Sequence, residues 1–77
     1  MFSPQLIKIV VQVFNLPETS LTPEIGLGDL DAWDSLGHLR LMMELEHEFH
    51  IRFSTTQLRQ LTSLMEIQDA LQAEGRI

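Results

Sequence analysis

Ser35 and His38 stand three residues apart, the spacing at which a hydroxyl and an imidazole on one helix could meet as nucleophile and base. No third residue is placed to orient that imidazole, and no oxyanion hole can be named, so hydrolysis is not expected. His47 and His50 repeat the spacing beside Glu44, Glu46 and Glu48, a set that could offer zinc two nitrogens and a carboxylate. A third ligand from another element is missing from the pattern, and no metal site is expected. Asp29, Asp31 and Asp34 have the acid density of a calcium loop. They lack its glycine at the sixth position and its closing glutamate. The chain has no cysteine, which excludes a disulfide framework, a thiolate metal site and a cysteine nucleophile together.

Ser35 has a second possible use. It follows an acid-rich loop and opens a helix. A phosphoester on its hydroxyl would meet the free N–H groups and the positive dipole end of that helix. The competing reading is an ordinary capping serine.

The elements that must hold these residues are helical. Ser3 caps a first helix with Pro4 in its first position, running to Phe14. Leu6, Ile7, Ile9, Val10, Val13 and Phe14 recur on it at helical spacing, and Gln5, Lys8 and Gln12 share about one quadrant. Residues 15–34 carry Pro17, Pro23, Gly26 and Gly28 and form a long loop, which Leu16, Leu21, Ile25, Leu27 and Leu30 can pin to the core. A short helical turn fits inside it.

The second helix spans about Ser35 to His50, with Asp34 or Ser35 as its cap. His38, Leu41, Met42, Leu45 and Phe49 form a core stripe. Leu36, Leu39 and Met43 form a second apolar stripe nearly opposite, flanked by Arg40, Glu46, His47 and His50. Exposed apolar residues with a charged rim mark contact sites. The alternative is a central helix packed on both sides. Ser54 or Thr55 caps a short third helix to about Leu61. Ser63 to Glu66 is a capping box that opens a fourth helix through Ala73, with Gly75 as its stop. The fold expected is all-α, a four-helix bundle in a single domain over residues 1–77, with a long first loop and a short third helix.

Charge narrows the partners. Eleven acids against five bases give a net charge of −6. Eight of the acids lie between Glu18 and Glu48, against Arg40 alone. Nucleic acid and anionic membranes each demand a basic patch, so neither is expected as a partner. Basic protein surfaces are. The most apolar early stretch, Leu6 to Phe14, is too short for a membrane span, and no basic segment precedes it. A soluble cytoplasmic protein is expected.

Asp34-Ser35-Leu36, opening a helix that ends Glu44-Leu45-Glu46-His47-Glu48-Phe49, resembles the acyl carrier protein family. Trp33 before the triplet is similar to a branch of stand-alone carriers, and Phe49, Ile51 and Phe53 resemble the exit of the family's second helix. The likeness runs from about Leu27 to Leu71. It implies that a phosphopantetheinyl transferase places 4′-phosphopantetheine from coenzyme A on Ser35, beside Asp34 and Leu36. It also implies a carrier and not an enzyme, a monomer that ferries acyl groups as thioesters among acyl-loading, condensing or acyl-transferring enzymes with basic docking patches, in fatty-acid, polyketide or specialised biosynthesis. Leu36, Leu39, Met43, Glu44, Glu46 and Glu48 would form the docking surface. Candidates to line an acyl site are Leu41, Met42, Leu45, Phe49, Ile51, Leu58, Leu61 and Ile67. Arg40 and His47 depart from the acids that many fatty-acid carriers place on this face, which points toward a specialised pathway. Gly37 departs too, and is expected to loosen the first turn of the helix. A peptidyl or aminoacyl carrier is the nearest alternative, though Trp33-Asp34 stands where such carriers often have glycine and histidine. An acidic interaction bundle without a prosthetic group is the alternative of another class.

Overall fold

The computed structural model describes residues 2–77. It contains four helices, α1 (Pro4–Phe14), α2 (Ser35–Phe49), α3 (Thr55–Gln60) and α4 (Leu64–Ala73). No strand occurs among the described residues, only a single bridge between Gly26 and Ser63. The all-helical expectation and the order of elements stand.

Each helix begins where local chemistry allows it. The Ser3 hydroxyl accepts from the Leu6 N–H at 3.4 Å, and Pro4 occupies the first turn, where a missing N–H costs nothing. Asn15 ends α1 in the left-handed region at φ 53°, and His50 ends α2 likewise at φ 55°. Ser54 with Gln57, and Ser63 with Glu66, each form a reciprocal capping box at the starts of α3 and α4. Leu6, Ile9, Val10 and Phe14 of α1 pack against Leu41, Met42, Leu45 and Phe49 of α2, and Leu64, Ile67 and Leu71 of α4 close the core. Gln5, Lys8 and Gln12 are exposed, as the quadrant of polar residues on α1 requires.

The long first loop is fastened by backbone bonds, beyond the leucines that sequence pattern supplies. Residues 23–27 run beside the α3–α4 junction. Leu27 N–H donates to the Thr62 carbonyl at 2.8 Å, Leu64 N–H to Ile25 at 2.8 Å, and Met65 N–H to Pro23 at 3.1 Å. Gly26 lies at the closest point, where a Cβ would collide with the Thr62 carbonyl oxygen. A 3₁₀ turn at Glu18–Ser20 is the short helical turn inside the loop. Ile25 is buried and Leu16, Leu21 and Leu30 are partly buried against the core. Leu27 does not pin the loop as expected: it stays exposed and lines a cleft beside α2 and α3.

A second fastening holds the link from α2 to α3. The Glu46 carboxylate accepts from the Phe53 N–H at 2.8 Å, and Phe53 is buried beside it.

Candidate functional site

The start of α2 is fixed by a stack of rings. Trp33 is fully buried, and its ring lies 5.0 Å from Phe14 of α1. Its indole N–H donates to His38 Nδ1 at 3.0 Å, one turn into α2. The backbone turns sharply before the helix, with Gly28 N–H donating to the Trp33 carbonyl at 2.8 Å and Trp33 N–H to Leu30 at 3.0 Å. The two residues between these anchored rings that matter most are Asp34 and Ser35.

Asp34 is the cap. Its Oδ1 accepts from the Gly37 N–H at 2.7 Å. Ser35 is therefore the first residue of α2, not its cap, and it is exposed. Among the described residues no hydrogen bond engages its hydroxyl. The cap would otherwise compete for that oxygen.

Gly37 corrects the expectation of a loosened turn. It is buried, and a Cβ there would run into the Ala32 carbonyl oxygen and lie 3.1 Å from the Phe14 ring. The glycine allows the loop, α1 and α2 to meet closely. Tight packing takes the place of helix propensity.

His38 is 6% exposed. Burial lowers its pKa from 6.5, while the Leu58 and Leu61 carbonyls pull the other way. Its Nδ1 accepts from Trp33, so the neutral ring carries its proton on Nε2. Neither nitrogen then offers a lone pair to Ser35, which removes the nucleophile-and-base reading on physical grounds.

Beside Ser35 a cleft of ≈ 330 Å³ opens between α2 and α3. Leu27, Ser35, His38, Leu39, Met42 and Leu58 contribute to its walls. Of the candidates for an acyl site, Met42 and Leu58 line it. Leu41, Leu45, Phe49 and Ile67 are packed into the core instead, so the cleft lies nearer the surface than the sequence pattern suggests.

The outward stripe is exposed. Leu36 is 66%, Leu39 47% and Met43 59% accessible, which rules out a helix packed on both sides. The acids do not ring it evenly. Glu44 shares a hollow with Val13, Arg40 and Met43, and Glu48 shares another with Lys8 and Gln12, both on the α1 side. Glu46 is half-buried and holds Phe53. His47 is exposed, 3.9 Å from Glu48.

A sequence model of the phosphopantetheine attachment site matches residues 4–71. The chain belongs to this family. Members are carriers of covalent 4′-phosphopantetheine that meet phosphopantetheinyl transferases and biosynthetic enzymes. The start of α2 fits such a group: it presents an exposed, uncommitted hydroxyl at a helix N-terminus that favours an attached phosphate. Among the described residues of this carrier domain, no helix is long and apolar enough to cross a membrane.

Sequence reasoning placed Asp34, Ser35 and the exposed stripe, and missed the tie between Trp33 and His38. Trp33 was legible only through resemblance. An indole and an imidazole five residues apart, flanking a capping Asp, could have signalled it.

Proposed function

We propose that this protein is an acyl carrier protein modified at Ser35. The observation that carries the reading is Ser35 itself, exposed at the first position of α2 while Asp34 takes the cap, within the family match. In the modification, Ser35 Oγ bonds to the phosphorus of coenzyme A that bears the pantetheine. The bond from that phosphorus to the departing 3′,5′-ADP breaks, and the serine proton passes to a base of the transferase or to water. The arm then supplies the thiol that a chain without cysteine lacks, and acyl groups ride on it as thioesters.

Leu36, Leu39 and Met43 form the apolar centre that partner enzymes cover, with Glu44 and Glu48 steering their basic residues. Arg40 and His47 interrupt the acidic field. They suit the carrier to a dedicated pathway whose enzymes present a mixed docking surface. Glu46 contributes less to docking, because its carboxylate is engaged with the Phe53 backbone.

The test is intact mass after incubation with coenzyme A and a broad-specificity transferase. One phosphopantetheinyl group is expected on the wild type and none on Ser35→Ala. Ser35→Ala removes no cap, so its stability should stay within about 0.5 kcal/mol of wild type. A folded wild-type sample left unmodified by several transferases would favour the interaction bundle.

A further inference from the structure

The turn that offers Ser35 depends on one buried ring. Trp33 lies just before Asp34 and Ser35 and is fully buried. Its backbone anchors the turn, with its N–H donating to Leu30 and its carbonyl accepting from Gly28. Its indole N–H donates to His38 Nδ1 at 3.0 Å, the ring centroids 6.2 Å apart and the ring planes 18° apart. The other nitrogen of His38 is buried and faces the Leu58 and Leu61 carbonyl oxygens at the end of α3. The imidazole therefore bridges the turn before Ser35, through α2, to α3.

Such a bridge works in one protonation state. The neutral ring, with its proton on Nε2, accepts from the indole on one edge and turns an N–H to the carbonyls on the other. A second proton would go to Nδ1, where the indole N–H already points. Two donors would then face each other in a buried site, and the indole would lose its acceptor. Burial holds the His38 pKa below 6.5, and the two carbonyls oppose that shift. The charged groups around the ring are committed or stand off. Arg59 of α3 shares a cleft wall with it. Asp34 of the turn holds the Gly37 N–H, and Asp29 holds Gly26. Glu66 of α4 is engaged by Thr62 and Ser63. Arg40, on α2 itself, lies in the outer hollow with Met43 and Glu44. From α1 the group stacked on Trp33 is uncharged Phe14.

We propose that His38 is a pH-gated positioning residue for the modification of Ser35: neutral, it holds Trp33 and with it the turn that presents the serine; protonated, it releases the indole and loosens that turn. The inference rests on the carrier reading above and adds to it a condition under which the serine is offered. The unfolded chain carries an ordinary histidine near 6.5, whereas the folded chain resists the proton. The stability that the bridge contributes is complete above 6.5 and declines as pH falls below it, because the unfolded state then binds more protons.

The experiment first follows unmodified, isotopically labelled protein by proton–nitrogen spectra from about pH 8 to about pH 5. The chain has a single indole N–H, that of Trp33. Its resonance should move with the same midpoint as the His38 ring, below 6.5. In His38→Asn the side-chain oxygen stands near the Nδ1 position and does not titrate, so the indole should keep a partner and stay still. His38→Leu removes the acceptor at every pH.

Modification of Ser35 is then timed by intact mass, with coenzyme A and one broad-specificity transferase. Each rate is taken relative to His38→Asn at the same pH, which cancels the transferase's own pH dependence. The wild-type ratio should fall roughly fivefold between about pH 7.5 and about pH 5.5, the scale of one buried hydrogen bond. His38→Leu should show the low ratio throughout. An indole that stays still while His38 titrates, or a ring that remains neutral down to about pH 5, overturns the gate. An indole that titrates beside a flat rate ratio overturns the link to Ser35. A wild type that gains no mass at any pH overturns the carrier reading, and the indole titration, which needs no transferase, still decides the gate. The wild-type titration also decides it should either variant fail to fold.

Discussion

On the α2 side of the cleft, Trp33, Gly37 and His38 are buried and each is held by a specific neighbour. On the α3 side no residue of Thr55–Gln60 is buried, and the helix is six residues long. One wall is positioned by ring stacking, a buried hydrogen bond and a close glycine contact. The other is held mainly by its capping box and by half-buried Leu58 and Leu61. Isolated helices as short as α3 do not sustain themselves. Chemistry that needs a serine offered in one place is served by the first wall. The second wall buries no residue of its helix, so local opening is expected to cost less there than on the first.

The largest break in this comparison is Trp33→Ala. It removes a fully buried ring, the stack on Phe14 and the donor to His38, and should cost about 3–5 kcal/mol. In a domain of this size that lowers the melting temperature by more than about 10 °C. A loss below about 1 kcal/mol in chemical denaturation would show that the wall is not anchored by this ring.

Gly37→Ala follows. Alanine in place of a helical glycine ordinarily stabilises by about 1 kcal/mol. Here the added Cβ meets the Ala32 carbonyl and the Phe14 ring, and the sign should reverse to a loss of about 1–3 kcal/mol. A raised melting temperature would show that the close approach relaxes easily.

Ser54→Ala addresses the other wall. Losing this cap should cost about 0.5–2 kcal/mol globally. Amide exchange should speed up most in α3 and little at the start of α2. Equal acceleration on both sides would erase the distinction between the walls. The smallest stability effect belongs to Met43→Glu. Met43 is exposed, so stability should change by less than about 0.5 kcal/mol, while the rate of modification by the transferase falls. A large drop in melting temperature would place Met43 in the core.

Ser3 and Ser63 were legible as helix starts, and Asp34 and Ser54 each as one of two candidates, because a cap acts over three residues. The second apolar stripe of Leu36, Leu39 and Met43 was legible because helical periodicity needs only residue spacing, while its exposure was settled by the packing. Whether Asp34 or Ser35 would cap was open in the sequence, since both types can. The Gly37 N–H, within reach of Asp34 Oδ1, settles it and leaves the serine hydroxyl uncommitted.

Sequence by itself therefore determined the four helices, their ends to within a residue, the two faces of α2 and the serine near its start, all products of interactions a few residues long. Tertiary structure alone decided why Gly26 and Gly37 must lack a side chain, since the atoms they approach include Thr62 and Phe14, far along the chain. It also decided that Leu27 lines the cleft and that His38 is buried beside it. Those outcomes depend on which surfaces meet across the bundle, and no local pattern encodes the distance between atoms that only the packed chain brings together.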